Sequence, residues 1–260
     1  MISVLAKVLE KFTIEIIPNL PIFVRTPLYL NILKLRKVKD RLRFVATNKN
    51  PSFEERLDYA LDSRANLNNS GGKLHDFNSN VVLEEIKEGP VKIYKFIPPN
   101  SSKDKYGIYF HGGGYFAGSI TSHKNLISQI SNDSNLIIYF FEYRLSPEYN
   151  FPSAHEDAKL AVDFINTLHP DHQSIWIGES AGGGLATGLV VDKEYLEKPD
   201  NLILLSPWLD LSDGFEDKKF FKNSDVTIII EGMFEFGQFY ACDYGSKNQI
   251  LSPVYEDFYN

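Results

Sequence analysis

The chain has 260 residues, 43% hydrophobic and 23% charged, with a formal net charge of −7. That length suits one α/β domain with a substantial core, and the acidic balance excludes a nucleic-acid binder, because phosphate recognition needs a basic face. The lone Cys242 rules out an internal disulfide and a cysteine metal framework, which fits a reducing, cytoplasmic setting.

Met1 to Ala6 begins like a signal peptide, but Lys7, Glu10, Lys11 and Glu15 interrupt the apolar run. No stretch reaches the roughly 18 apolar residues of a membrane-spanning helix. Leu28 to Leu35, followed by Arg36, Lys37, Lys39 and Arg41, reads either as a helix packed over a pocket or as a basic helix on a membrane surface. Residues 1–67 read as a helical cap. Within them Ser52 and Glu55 form a capping-box pattern, and the helix they start is expected to end near Leu67, before Asn68-Asn69-Ser70-Gly71-Gly72.

The remainder, 68–260, reads as an α/β core. Val81–Leu83 and Val91–Phe96 are predicted strands, the second alternating with period two. From Lys105 strands and helices alternate. Strands are expected at Tyr106–Phe110, Asn135–Tyr143, Ser174–Ile177 and Leu202–Leu205, and helices at Ser122–Asp133, Ala154–Leu168 and Ser180–Val191. Repeated β-α-β steps imply a mostly parallel sheet with helices on both faces.

Gly178-Glu179-Ser180-Ala181-Gly182 falls where a predicted strand meets a predicted helix. Alone, Gly-x-Ser-x-Gly occurs by chance in about one chain in ten of this length. On a strand-to-helix turn it acquires a physical reason. Side chains at Gly178 or Gly182 would collide with the tight elbow, and the helix start turns unpaired N–H groups toward Ser180. His111-Gly112-Gly113-Gly114 follows another apolar strand. A glycine run lets backbone N–H groups face a reacting carbonyl and stabilise the oxyanion formed in acyl transfer.

Together these residues resemble the hormone-sensitive lipase family of α/β-hydrolases, which includes bacterial acetyl esterases and carboxylesterases. Tyr143-Arg144-Leu145-Ser146-Pro147-Glu148, Phe151-Pro152, Glu156-Asp157-Ala158, Ser206-Pro207-Trp208-Leu209-Asp210 and Ser252-Pro253 extend the likeness over roughly residues 80 to 258. The resemblance implies an α/β-hydrolase fold and a serine carboxylesterase or lipase-like activity on short-chain acyl esters, through an acyl-enzyme, with no cofactor or metal. It makes Ser180 the nucleophile, and Gly113, Gly114 and Ala181 the oxyanion-hole donors. His111, Gly112, Gly178 and Gly182 support the two motifs. Arg144, Glu148 and Asp157 are expected in a buried polar network, and Tyr115 and Trp208 as pocket walls or core.

The chain departs from that pattern in one respect. Its six histidines are His75, His111, His123, His155, His169 and His172, so all precede Ser180. In the family the acid follows the seventh strand and the histidine the eighth, and neither segment has a counterpart here. Asp210, Asp213, Asp225, Asp243 and Asp257 stand outside the family's motif. His123 and His155 are the geometric substitutes, while His169-Pro170-Asp171-His172 reads as a solvated loop at the opposite sheet edge. The expectation is a C-terminally truncated, impaired esterase with an uncovered apolar strand edge. Its partners would be a small ester and, in a split enzyme, a complementing C-terminal polypeptide. A non-catalytic ligand-binding relative and an inert gene remnant remain the alternatives, and oligomeric state stays open.

Overall fold

The computed structural model describes residues 52–71, 76–87, 90–212 and 230–256. Two units divide the chain: Phe53–Asp213 with Phe236–Asn260, and Met1–Ser52 with Gly214–Glu235. The sheet and every motif residue belong to the first. Most of the expected cap, including the basic stretch after Leu35, and His75 lie outside the described residues.

Six strands form one sheet: β1 (Val82–Ile86), β2 (Lys92–Ile97), β3 (Lys105–Phe110), β4 (Ile137–Glu142), β5 (Gln173–Glu179) and β6 (Asn201–Leu205), in the order β1-β2-β4-β3-β5-β6. β1 and β2 enter antiparallel; β4, β3, β5 and β6 run parallel. Among the described residues five α-helices accompany them: α1 (Phe53–Gly71), α2 (Ile120–Ser134), α3 (Ser153–Thr167), α4 (Ala181–Val191) and α5 (Ile230–Ala241). Among the described residues no helix is long and apolar enough to cross a membrane.

The apolar runs are explained by burial on both sheet faces. Ile108, Phe110, Tyr139, Phe141 and Trp176 join one core with Ala158, Ala161 and Val162 of α3 and Leu185 and Leu189 of α4. Tyr109, Ile138, Phe140 and Ile177 turn the other way, onto Ile127 of α2. Alternate residues of one strand thus feed opposite cores, so central strands read as unbroken apolar segments. β6 pairs only with β5 among the described residues, and its Ile203 and Leu205 are 46% and 41% exposed.

Of the boundaries that differ from the sequence reading, two have a definite cause. α1 runs through Asn68 and Asn69 to Gly71, because the Ser119 hydroxyl donates to Asn68 Oδ1 at 2.6 Å and ties that last turn to the start of α2. Asn135 caps α2 instead of opening β4. It adopts left-handed φ of 55°, and its N–H donates back to the Asn132 carbonyl, a position where asparagine replaces glycine. At the end of α5, exposed Cys242 accepts a hydrogen bond from the Asn150 amide at 3.1 Å.

Candidate active site

β5 ends at Glu179 and α4 begins at Ala181, leaving Ser180 alone on the turn with φ 52° and ψ −120°. That backbone is strained for a serine and persists because its surroundings fix it. Ser180 N–H donates to the Leu205 carbonyl at 3.0 Å, and its own carbonyl accepts from Trp208 N–H at 2.8 Å and Gly183 N–H at 3.0 Å. The elbow is therefore held by the segment leaving β6 as well as by its own helix. A methyl group at Gly182 would meet the Phe110 carbonyl oxygen at the end of β3, so glycine is the residue that lets helix and strand touch.

The glycine loop and the elbow come together. A methyl group at Gly112 would stand 3.1 Å from Ser180 Cβ and 2.9 Å from Glu179 Oε1. Gly113 and Gly114 then follow with φ of 116° and 63°, values that glycine adopts freely. Both are half-exposed, as is Ser180. The Gly113 carbonyl turns inward, accepting from Phe116 N–H at 3.1 Å and Ala117 N–H at 2.9 Å. Ala181 opens α4, where the first N–H groups lack intrahelical acceptors. These are the backbone groups expected to act as donors: Gly113 and Gly114 continue the loop from Gly112, and Ala181 follows Ser180 directly.

His111 stays under the loop. It is fully buried, stacks on Tyr143 with ring centroids 4.0 Å apart, and its Nδ1–H donates to the Gly112 carbonyl at 2.8 Å. Burial, aided by neighbouring His123, pushes its pKa down to about 3, so the imidazole is neutral and shapes the loop. The Tyr143 hydroxyl donates to the His111 carbonyl at 2.8 Å.

Sequence reasoning missed the polar cluster beside the nucleophile. Glu179 Oε2 accepts from the Tyr109 hydroxyl at 3.0 Å and lies 3.3 Å from His123 Nε2. Burial raises the Glu179 pKa, but the hydrogen bond and charge from His123 and the Tyr109 hydroxyl leave it below the usual carboxylate value. His123 Nδ1 faces the Ser122 hydroxyl at 2.8 Å. The signal available was Glu179 itself, a carboxylate at a strand's end next to a motif serine.

The other expected residues are distributed as follows. Arg144 pairs with Asp157 at 2.9 Å and with Glu156 at 2.9 Å. Glu148 does not share that network; it pairs with Arg64 of α1 at 2.7 Å, because the chain turns between residues 144 and 148 and sends the two side chains to different elements. Tyr115 is fully buried and stacks on Tyr240 with centroids 4.2 Å apart, while half-buried Trp208 donates from Nε1 to the Asp210 carbonyl at 2.8 Å. His155 is buried at the start of α3, where burial lowers its pKa to about 3. His169 lies in the expected helix-to-strand loop, half-buried rather than fully solvated. It stacks on Tyr106 at 4.4 Å and meets the Tyr139 hydroxyl at 2.7 Å, at the starts of β3 and β4, opposite Ser180. Among the described residues no histidine hydrogen-bonds to Ser180, and no group of three or more His, Cys, Asp or Glu side chains is placed to hold a metal.

A family model described as the alpha/beta hydrolase fold matches residues 107–260. The chain belongs to the α/β-hydrolase family. It is 33% identical over 134 residues to an ethyl acetate hydrolase of Pseudomonas putida, an alignment covering 47% of this chain and 42% of that protein. It is 27% identical over 191 residues to an esterase of Acinetobacter venetianus, covering 71% of this chain and 62% of that one. A crystal structure of a hormone-sensitive lipase from a metagenome library superposes with TM-score 0.72 at 28% identity, covering 88% of this chain and 72% of that one. Several curated relatives are matched over less than half of their own length, 42% to 43%. Hydrolase relatives of this kind bear out the resemblance carried by the two glycine motifs.

Proposed function

We propose that the chain is a serine carboxylesterase of short-chain acyl esters, acting through an acyl-enzyme, whose reactivity is impaired because no described histidine serves Ser180. The observation that carries this reading is the approach of the glycine loop to the elbow, with Gly112 against Ser180 Cβ. In it, Ser180 Oγ attacks the ester carbonyl carbon and its proton passes to a base. The C–O π electrons move onto oxygen, where Gly113, Gly114 and Ala181 N–H groups stabilise the oxyanion. Collapse breaks the bond to the alcohol, which leaves protonated, and water then releases the acid. Relatives named as ethyl acetate hydrolase and acetyl-hydrolase favour a short acyl group. The lone Cys242 favours a cytoplasmic setting. No step calls for a metal or cofactor.

Among the described residues no histidine stands as the base. His111 is neutral and bonded to Gly112, His123 faces Glu179 and Ser122, and His169 sits across the sheet. An oxyanion hole without a complete triad retains only about 10³–10⁴-fold over water. The test is intact-mass spectrometry after exposure to a fluorophosphonate, with Ser180→Ala as control and free imidazole as an added base. The expected result is negligible labelling of the folded chain alone, and Ser180-dependent labelling that rises with imidazole. Rapid labelling without imidazole would overturn the impairment. Absence of labelling under both conditions would overturn the nucleophile assignment.

A further inference from the structure

The loop carrying the expected oxyanion donors is bent in an unusual way. Gly113, Gly114 and Tyr115 have consecutive φ values of 116°, 63° and 64°. Glycine tolerates this, but a bulky tyrosine does so only when its surroundings over-determine the backbone.

A closed circuit of hydrogen bonds supplies that constraint. Ser146 N–H donates to the Tyr115 carbonyl at 2.9 Å. Arg64 Nη2 donates to the Ser146 carbonyl at 3.0 Å, and Arg64 Nε donates to the Phe116 carbonyl at 2.8 Å. One guanidinium thus ties both sides of the bend. Its orientation is fixed by Glu148, which accepts from Nη1 and Nη2 at 2.7 Å each. The Arg64 hydrogen bond holds the Glu148 carboxyl below its usual value. Phe116 itself packs on Phe236 at 4.5 Å and on Tyr59 of α1 at 5.9 Å. A lysine cannot reproduce this arrangement, because its ammonium has three donors on one atom, whereas the site takes four hydrogen bonds, two of them side by side on Glu148.

We propose that Arg64 of α1 is a positioning residue that holds the oxyanion loop in its left-handed form, so that α1 sets the competence of the site. The proposal rests on reading Gly113 and Gly114 as oxyanion donors. Arg64 touches no reacting atom. Its effect is to keep the Gly113 and Gly114 amides aimed outward beside Ser180.

The test compares the full chain with Arg64→Met, Arg64→Lys and Glu148→Gln. Amide hydrogen exchange reads the loop, and acetate titrated into ¹⁵N-labelled protein reads the donors, since a carboxylate product presents oxygen to them without needing a base. Arg64→Met is expected to speed exchange at Phe116, Ala117 and Ser146 at least tenfold, with β3 and β5 unchanged. It should also weaken the acetate-dependent shifts at Gly113 and Gly114 at least fivefold. Arg64→Lys should recover only part of either effect, and Glu148→Gln, which leaves the arginine in place, should lose less than Arg64→Met. Loop exchange unchanged in Arg64→Met would overturn the proposal. So would exchange raised equally in β3 and β5, or full rescue by lysine. Wild-type protein lacking saturable acetate shifts would sink the oxyanion reading instead, while the exchange comparison still decides whether Arg64 holds the loop.

Discussion

The two ends of the parallel strands solve different problems. At the starts of β3 and β4, Tyr106, Tyr139 and His169 form a relaxed aromatic latch joined by a 2.7 Å hydrogen bond. At the other ends, Tyr115, Ser180 and Ser206 all adopt positive φ without being glycine. Strain of this kind is tolerated where backbone groups must face outward, and it needs constraint from several elements. The contrast teaches that the latch end holds the sheet together, whereas the elbow end stores conformations the sheet alone would not choose.

The largest expected effect breaks the elbow end. Gly182→Ala puts a methyl group against the Phe110 and His111 carbonyl oxygens, both backbone atoms that cannot step aside. It should cost at least about 3 kcal/mol, seen as a large fall in thermal midpoint or loss of soluble protein. A near-wild-type midpoint would mean that the elbow has slack.

Acid sharpens the comparison next, because it acts on both ends. His111 at the elbow end and His169 at the latch are held neutral, with pKa values lowered to about 3 and about 4, chiefly by burial. In the unfolded chain each binds its proton near the ordinary histidine value of about 6.5. Between those values the unfolded state holds more protons, so stability falls as pH drops below about 6.5. The slope is up to about 1.4 kcal/mol per pH unit for each fully buried histidine, and less for half-buried His169. Chemical denaturation at a series of pH values measures it, and His169→Phe should flatten the curve without abolishing it. A stability constant from pH 6.5 to pH 5 would contradict the buried, neutral assignment.

The smallest effect isolates the latch. Tyr139→Phe removes the hydroxyl partner of His169 and should cost about 1 kcal/mol. Imidazole-dependent labelling of Ser180 should not change. If labelling drops as well, the two ends are coupled through the strands.

Much of this was legible because its causes are local. A β3 without a charge from Tyr106 to Phe110 must have two covered faces, and glycines on either side of Ser180 report a crowded elbow. Asn135 was misread because an asparagine beside an apolar run looks like the strand's start until its left-handed φ assigns it to the helix before it. Helix α1 outlasted its apparent stop signal through one contact with Ser119, 51 residues away in sequence. Arg64 left no trace in the pattern at all. Its partners lie 52 to 84 residues further along, and an arginine on a largely polar helix looks like ordinary solvated charge. Glu148 was assigned to Arg144 on proximity in sequence, and only the turn between them shows that they diverge.

Cys242 is the sole thiol of the chain, and it stands exposed at the end of α5, within hydrogen-bonding reach of Asn150. A maleimide dye would therefore attach at a single address, without prior removal of competing cysteines. Its emission would report on the junction between that helix and the loop entering α3, which makes the wild-type sequence its own fluorescence instrument.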